Sequence, residues 1–175
     1  MTREICIDEA KDAHFTFIHD TIDSDIVIRL AREGARVFVD EIFFSDASLT
    51  SNLRIIHDAP RTFSRVDARG AVRAGVKNVA NTTVVIPKQS VECDTHVSQR
   101  FLLLDKTAKA QAFPGLEIIP NRVKAGHASS VVPLSKDALF YLNTRGLSHE
   151  QAKHMIIEGF LNIPETYKKQ VRVGV

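Results

Sequence analysis

The run NRVKAGHASSVVPLSKDALFYLNTRGLSHEQAK, residues 121–153, changes character in its middle. Up to Pro133 it holds small residues and valines around one histidine, His127; beyond Pro133 two helix signatures follow. Ser135 is a good N-cap. Ala138, Leu139, Tyr141 and Leu142 recur at helical spacing, and Gly146 suits the position just past a helix end. Ser148 with Gln151 three residues on makes a capping box. Met155, Ile156, Gly159 and Phe160 read as the apolar stripe of this second helix, which Asn162 and Pro164 end. With only about two residues between them, the helices fold back as a hairpin.

Upstream the pattern is of strands. HFTFIHD (14–20), DIVIRL (25–30), ARVFVDEIFF (35–44), SNLRIIHD (51–58), TFSRVDARGAV (62–72), NTTVVIP (81–87), HVSQRFLLLD (96–105) and LEIIP (116–120) are rich in Val, Ile, Phe and Thr. Several alternate in polarity, as half-buried strands do. No helix-length pattern intervenes, which excludes a doubly wound α/β sheet, because that sheet needs crossover helices. Sandwich, closed barrel and parallel β-helix remain. The chain contains no Asn-Gly, Asp-Gly or Gly-Gly, the dipeptides of tight hairpins. Its irregular spacers suit a β-helix, whose strands are joined by bends and loops of varying length. FTFIHD at 15–20 returns as LRIIHD at 53–58, and that offset of 38 residues is expected to span two coils.

Bulk properties narrow the function. A chain of 175 residues, 44% hydrophobic and 25% charged, can bury a core as one domain. The net charge of +2 is small and the basic residues are scattered, which gives no footprint for nucleic acid. No apolar stretch approaches the roughly 20 residues that span a bilayer, and MTREICIDEAKDAH lacks the order of a signal peptide. Cys6 and Cys93 cannot build a disulfide framework. A cytoplasmic protein is expected.

The sequence resembles the C-terminal portion of the SufB/SufD family, components of iron–sulfur cluster assembly. The resemblance is carried by SVECDTHVSQRFLLLDKTAKAQAFPGLEI (90–118), VKAGHASSVVPLSKDALFYLNTRGLSHEQA (123–152) and KHMIIEGFLN (153–162). It is strong over 85–163 and diffuse over 14–84. It implies a mainly β fold: a right-handed parallel β-helix over 1–133, a small α-helical hairpin over 134–164, and a loose basic tail over 165–175. In the family two chains pair through their β-helices, each helical domain docks on a SufC-type, ABC-type ATPase, and clusters are thought to assemble at the junction. The chain is shorter than usual members, so it is expected to be a truncated, SufD-like core. SufB's candidate cluster-ligand cysteine corresponds to Ala108, a second SufB cysteine falls near Gln99, and Ala128 stands where SufB has a glutamate. His127 matches the SufD histidine proposed to contribute to cluster assembly.

Neutral imidazole is a good ligand for iron, and small flanking residues are expected to leave His127 within reach of a partner or a metal. One histidine cannot hold a cluster, so further ligands must come across an interface. The plain alternative is an interface histidine making one hydrogen bond. No cofactor is expected to bind this chain tightly by itself; a transient cluster would be shared with a SufB-like partner or across a homodimer. Cys93 and His96 form C-x-x-H, but on a strand they point to opposite faces. His19-Asp20 and His57-Asp58 read as polar strand ends, the alternative being that they stack on adjacent coils. No P-loop or Ser-His-Asp order is present, so the chain is not expected to be an enzyme. The hairpin is expected to bury Phe140, to cap the β-helix and to dock a partner through Phe140, Arg145, His149 and Lys153. Two other readings stay open: a β-helix interaction protein without cluster chemistry, and a carbohydrate- or metal-dependent β-helix enzyme. The second needs His14, His57 and His96 to converge.

Overall fold

The computed structural model describes residues 2–167. Ten strands come first: β1 (Thr2–Ile7), β2 (Asp12–His19), β3 (Ser24–Leu30), β4 (Arg36–Phe43), β5 (Leu49–His57), β6 (Phe63–Val72), β7 (Lys77–Ile86), β8 (Asp94–Leu103), β9 (Lys109–Ile118) and β10 (Lys124–Pro133). Two helices, α1 (Lys136–Thr144) and α2 (His149–Leu161), and a 3-10 turn at Glu165–Tyr167 follow. Residues 168–175, most of the expected tail, lie outside the described residues.

Odd-numbered strands form one sheet, in the order β1-β3-β5-β7-β9, and even-numbered strands the other, β2-β4-β6-β8-β10. Every pairing is parallel. The chain therefore winds as a parallel β-solenoid, alternating between sheets. Thr2 pairs with Asp25 and Lys77 with Lys109, so one turn takes 23 to 32 residues. The 38-residue echo is not a coil repeat: His19 ends β2 and His57 ends β5, on opposite sheets, so the two His-Asp pairs do not stack. The sequence pattern missed β1 and placed β9 too late, at 116–120 rather than Lys109–Ile118.

Strand alternation builds the lumen. Along β7, Asn78, Ala80, Thr82, Val84 and Ile86 are buried while their neighbours face out. Ile28, Ile55 and Val84 stack as one column between the sheets. Each such side chain contributes roughly 1.5–3 kcal/mol on burial. On the even sheet, Phe43, Gly70 and Phe101 form another column. A Cβ on Gly70 would lie 2.4 Å from the Phe101 ring, so only glycine lets that ring lie across the column against Phe43, at 5.4 Å between centroids.

Several polar residues inside the lumen are paired, whereas the buried Asn78 amide has no hydrogen-bond partner among the described residues. His19 Nε2 lies 3.0 Å from Glu41 Oε1, and Ser51 also donates to that carboxylate. Thr62 gives its hydroxyl proton to the Ala59 carbonyl, so His57 donates from Nδ1 to Thr62 (2.7 Å) and accepts at Nε2 from Ser64 (2.9 Å). Burial lowers the His57 pKa from 6.5 to about 4. At the corner that leads from odd to even strands, the last four coils place charges of alternating sign in contact. Glu33 pairs with Arg61, Arg61 with Glu92 at 3.7 Å, and Glu92 with Arg122 at 3.4 Å.

The caps act as the sequence indicates. The Ser135 side chain accepts from the Ala138 N–H, Ser148 and Gln151 complete a reciprocal capping box, and Gly146 takes a φ of +94°. The apolar stripe of α2 differs from expectation. Ala152, Ile157 and Leu161 are buried, with Ile156 and Phe160 partly so, whereas Met155 and Gly159 are exposed. The stripe packs on Ile42, Phe44, Ala71 and Leu102 of successive coils. The hairpin thus lies along the flank of the even sheet, not over an end as a cap.

Candidate functional site

β10 pairs with β8 so that His127 stands beside Val97. Val97 continues an inward column through Val66 and Val39, all buried, to Phe15. His127 is the last member of this column, and no further coil covers it within the described chain, so an inward-facing side chain is exposed. The small flanking residues are not the cause. Gly126 and Ala128 alternate to the outer face, where a Cβ on Gly126 would come 3.2 Å from His96 Nδ1. Gly126 makes room for His96, and position at the solenoid end bares His127.

The imidazole is held. Its Nδ1 lies 2.9 Å from the Pro114 carbonyl in β9. A carbonyl can only accept, so Nδ1 donates and the neutral ring keeps its lone pair on Nε2. Backbone direction explains Pro114. Lys109 and Ile119 donate to Val76 and Ile86, so odd-numbered residues of β9 face β7 and even-numbered ones face the free edge. Pro114 is even-numbered, and its missing N–H costs no ladder bond. In β10, Lys124 and Leu134 donate to Cys93 and Leu103, which turns Pro133 to the free edge too. Both end strands therefore place proline where an edge tolerates it, and β9 has no free donor at its centre.

Around His127 the end is lined by small or apolar side chains, among them Ala112, Leu116, Ser129 and Val131. Gln99, near which the resemblance implies a SufB cysteine, is buried in the lumen and donates to Thr82 at 2.8 Å. Ala108, at the other position the resemblance implies, is buried at the corner before β9. Cys6 is exposed on β1, at the far end of the solenoid. Cys93 is buried, 3.2 Å from Thr62, about four residues or 13 Å along the strand from the Val97 level. His96 points to the opposite face from Cys93, as its spacing indicates. Among the described residues no three His, Cys, Asp or Glu side chains converge to hold a metal ion. His14 stacks on Phe38 outside the even sheet, His96 lies on that face with two strands between them, and His57 is buried, so the three do not converge.

The hairpin offers a second surface. Phe140 is 70% exposed, which corrects the expectation that it is buried. α1 buries no residue fully, because it meets α2 rather than the sheet. Arg145 is exposed and stacks over Tyr141 at 5.2 Å; Tyr141 is 57% and Met155 50% exposed. His149 is exposed at the start of α2, and Lys153 is half-buried. The exposure of Tyr141 and Met155 escaped the sequence reading because helical spacing says which residues share a face, not whether anything covers it. No helix among the described residues is long and apolar enough to cross a membrane.

Comparisons with known proteins identify the family of the chain. Residues 8–160 match the family described as SUF system FeS cluster assembly, SufBD core domain. An iron–sulfur cluster assembly SufBD family protein of Mycobacterium leprae is 30% identical over 165 residues, covering 86% of this chain and 42% of that protein. Relatives bearing the same description, from Staphylococcus aureus and Mycobacterium tuberculosis, are each 29% identical, over 75% and 66% of this chain. The chain spans 14% to 42% of the length of these curated relatives. With the solenoid, the helical hairpin and the family match in agreement, the chain belongs to the SufBD family of iron–sulfur cluster assembly proteins.

Proposed function

We propose that this chain is a non-catalytic, SufD-like accessory subunit of an iron–sulfur cluster assembly complex. It pairs through the open end of the solenoid, with a second copy or with a SufB-like chain, and docks a SufC-type ATPase through the helical hairpin. At the paired end His127 supplies one ligand to a cluster whose thiolates come from the partner. The single observation behind this reading is an imidazole in the luminal column, bared at the free end and anchored through one nitrogen only. Free strand edges favour pairing, and the exposed Phe140, Tyr141 and Met155 favour docking.

Anaerobic reconstitution with iron and sulfide tests it. The chain alone should hold no cluster, since iron–sulfur clusters usually take about four protein ligands. With a thiol-bearing SufB-type partner, visible absorbance should appear, and His127→Ala should lower it without lowering the melting temperature. Equal absorbance with a lower melting temperature would make His127 structural. Light scattering of the isolated chain should show a dimer; only a 19.5 kDa species at tens of micromolar would overturn pairing between copies.

A further inference from the structure

We infer that Pro114 is the positioning residue for His127, and that it does this in two ways. This rests on the proposed ligand role of His127 but concerns a different residue. First, the Pro114 carbonyl accepts from Nδ1 and fixes the tautomer that leaves the Nε2 lone pair free. Ligating histidines are usually oriented by such a second hydrogen bond, which also raises ligand basicity. Second, Pro114 lacks an N–H at the centre of the free β9 edge. A strand that pairs with β9 finds donors at Ala112 and Leu116, which face the same edge, and none between them. The Pro114 carbonyl is already engaged by the imidazole. Pairing is therefore interrupted on both counts beside His127, and the partner strand cannot close its hydrogen bonds over the ring. The flanking small residues Ala112 and Ser129 leave room at that gap. The proline thus keeps a pocket open in an interface that would otherwise zip shut.

Two measurements separate this inference from the reading beneath it. In the isolated chain at about pH 8, where an ordinary imidazole is neutral, nitrogen NMR of labelled histidine should show His127 protonated at Nδ1 and bare at Nε2. A ring protonated at Nε2 would overturn the inference, whatever reconstitution shows. Pro114→Ala keeps the carbonyl and adds the donor. It should preserve the tautomer and the pairing affinity, yet reduce iron uptake of the pair reconstituted with iron and sulfide by about 10-fold, the scale of lost outer support at metal sites. Undiminished uptake by Pro114→Ala would sink the gap argument. Loss of pairing together with uptake would show the proline to be merely structural and would overturn it as well. If His127→Ala leaves uptake unchanged while the tautomer is as expected, the ligand reading fails and the tautomer assignment survives.

Discussion

His57 and His127 both point into the solenoid, and their fates differ. His57 lies in a middle coil, fully buried, with both ring nitrogens bonded and its pKa lowered to about 4 by burial. His127 lies in the last coil, exposed, with one nitrogen bonded and the other bare. The comparison teaches that in a solenoid orientation is set by the strand but burial is set by the layer. An inward-facing side chain is core in a middle coil and exposed surface in the last.

The comparison can be broken first at the buried layer. Phe101→Ala removes a ring that fills the lumen against Phe43, and it should cost about 3–5 kcal/mol, measured by urea denaturation. A cost below about 1 kcal/mol would mean that the middle coils are not packed as described.

The next effect is in pH. Free histidine titrates near 6.5 and folded His57 near 4. As pH falls through 6.5, the unfolded chain takes up a proton that the folded chain refuses until about pH 4. The stability this group allows is therefore full above 6.5, and about 3 kcal/mol of it is gone by pH 4. His57→Gln, which keeps hydrogen-bonding capacity toward Thr62 and Ser64, should flatten the slope of stability between those pH values. An unchanged slope would put the acid sensitivity elsewhere.

Smaller effects are expected at the surface. Phe140→Ala should change stability by no more than about 0.5 kcal/mol, since the ring is exposed. Under the docking proposal, the same substitution should weaken capture of a SufC-type ATPase, as Arg145→Glu should. Binding unchanged by both would move the contact off α1. His127→Ala sharpens the contrast most: it removes one exposed hydrogen bond and should cost about 0.5 kcal/mol or less by the same denaturation assay.

The same physics explains what was legible in the sequence. β3 to β8 announce themselves because burial on one face writes an apolar residue at every second position. β10, KAGHASSVVP, lacks that signal, and β1 carries three charges or hydroxyls in its first three residues. Neither end strand is covered on both sides, so selection for apolar alternation is weak there. Coil length was hidden because a turn varies from 23 to 32 residues. The hairpin was legible through its caps, which depend on local chemistry. The exposure of Phe140, Tyr141 and Met155 depends on where the hairpin docks, which periodicity does not encode. His127 was singled out as a candidate through its motif, whereas Pro114 gains meaning only from the direction in which its backbone points.

The alternating corner charges carry a consequence for how such a chain can change in length. Glu33, Arg61, Glu92 and Arg122 contribute one sign per coil. Duplicating or deleting a single coil would set like charges in contact, whereas a change by two coils would keep every neighbour opposite in sign. Each exposed pair is worth at most about 1 kcal/mol, so the rule is a bias rather than a bar. It nonetheless favours growth and loss by paired coils, a parity written along one corner of the molecule.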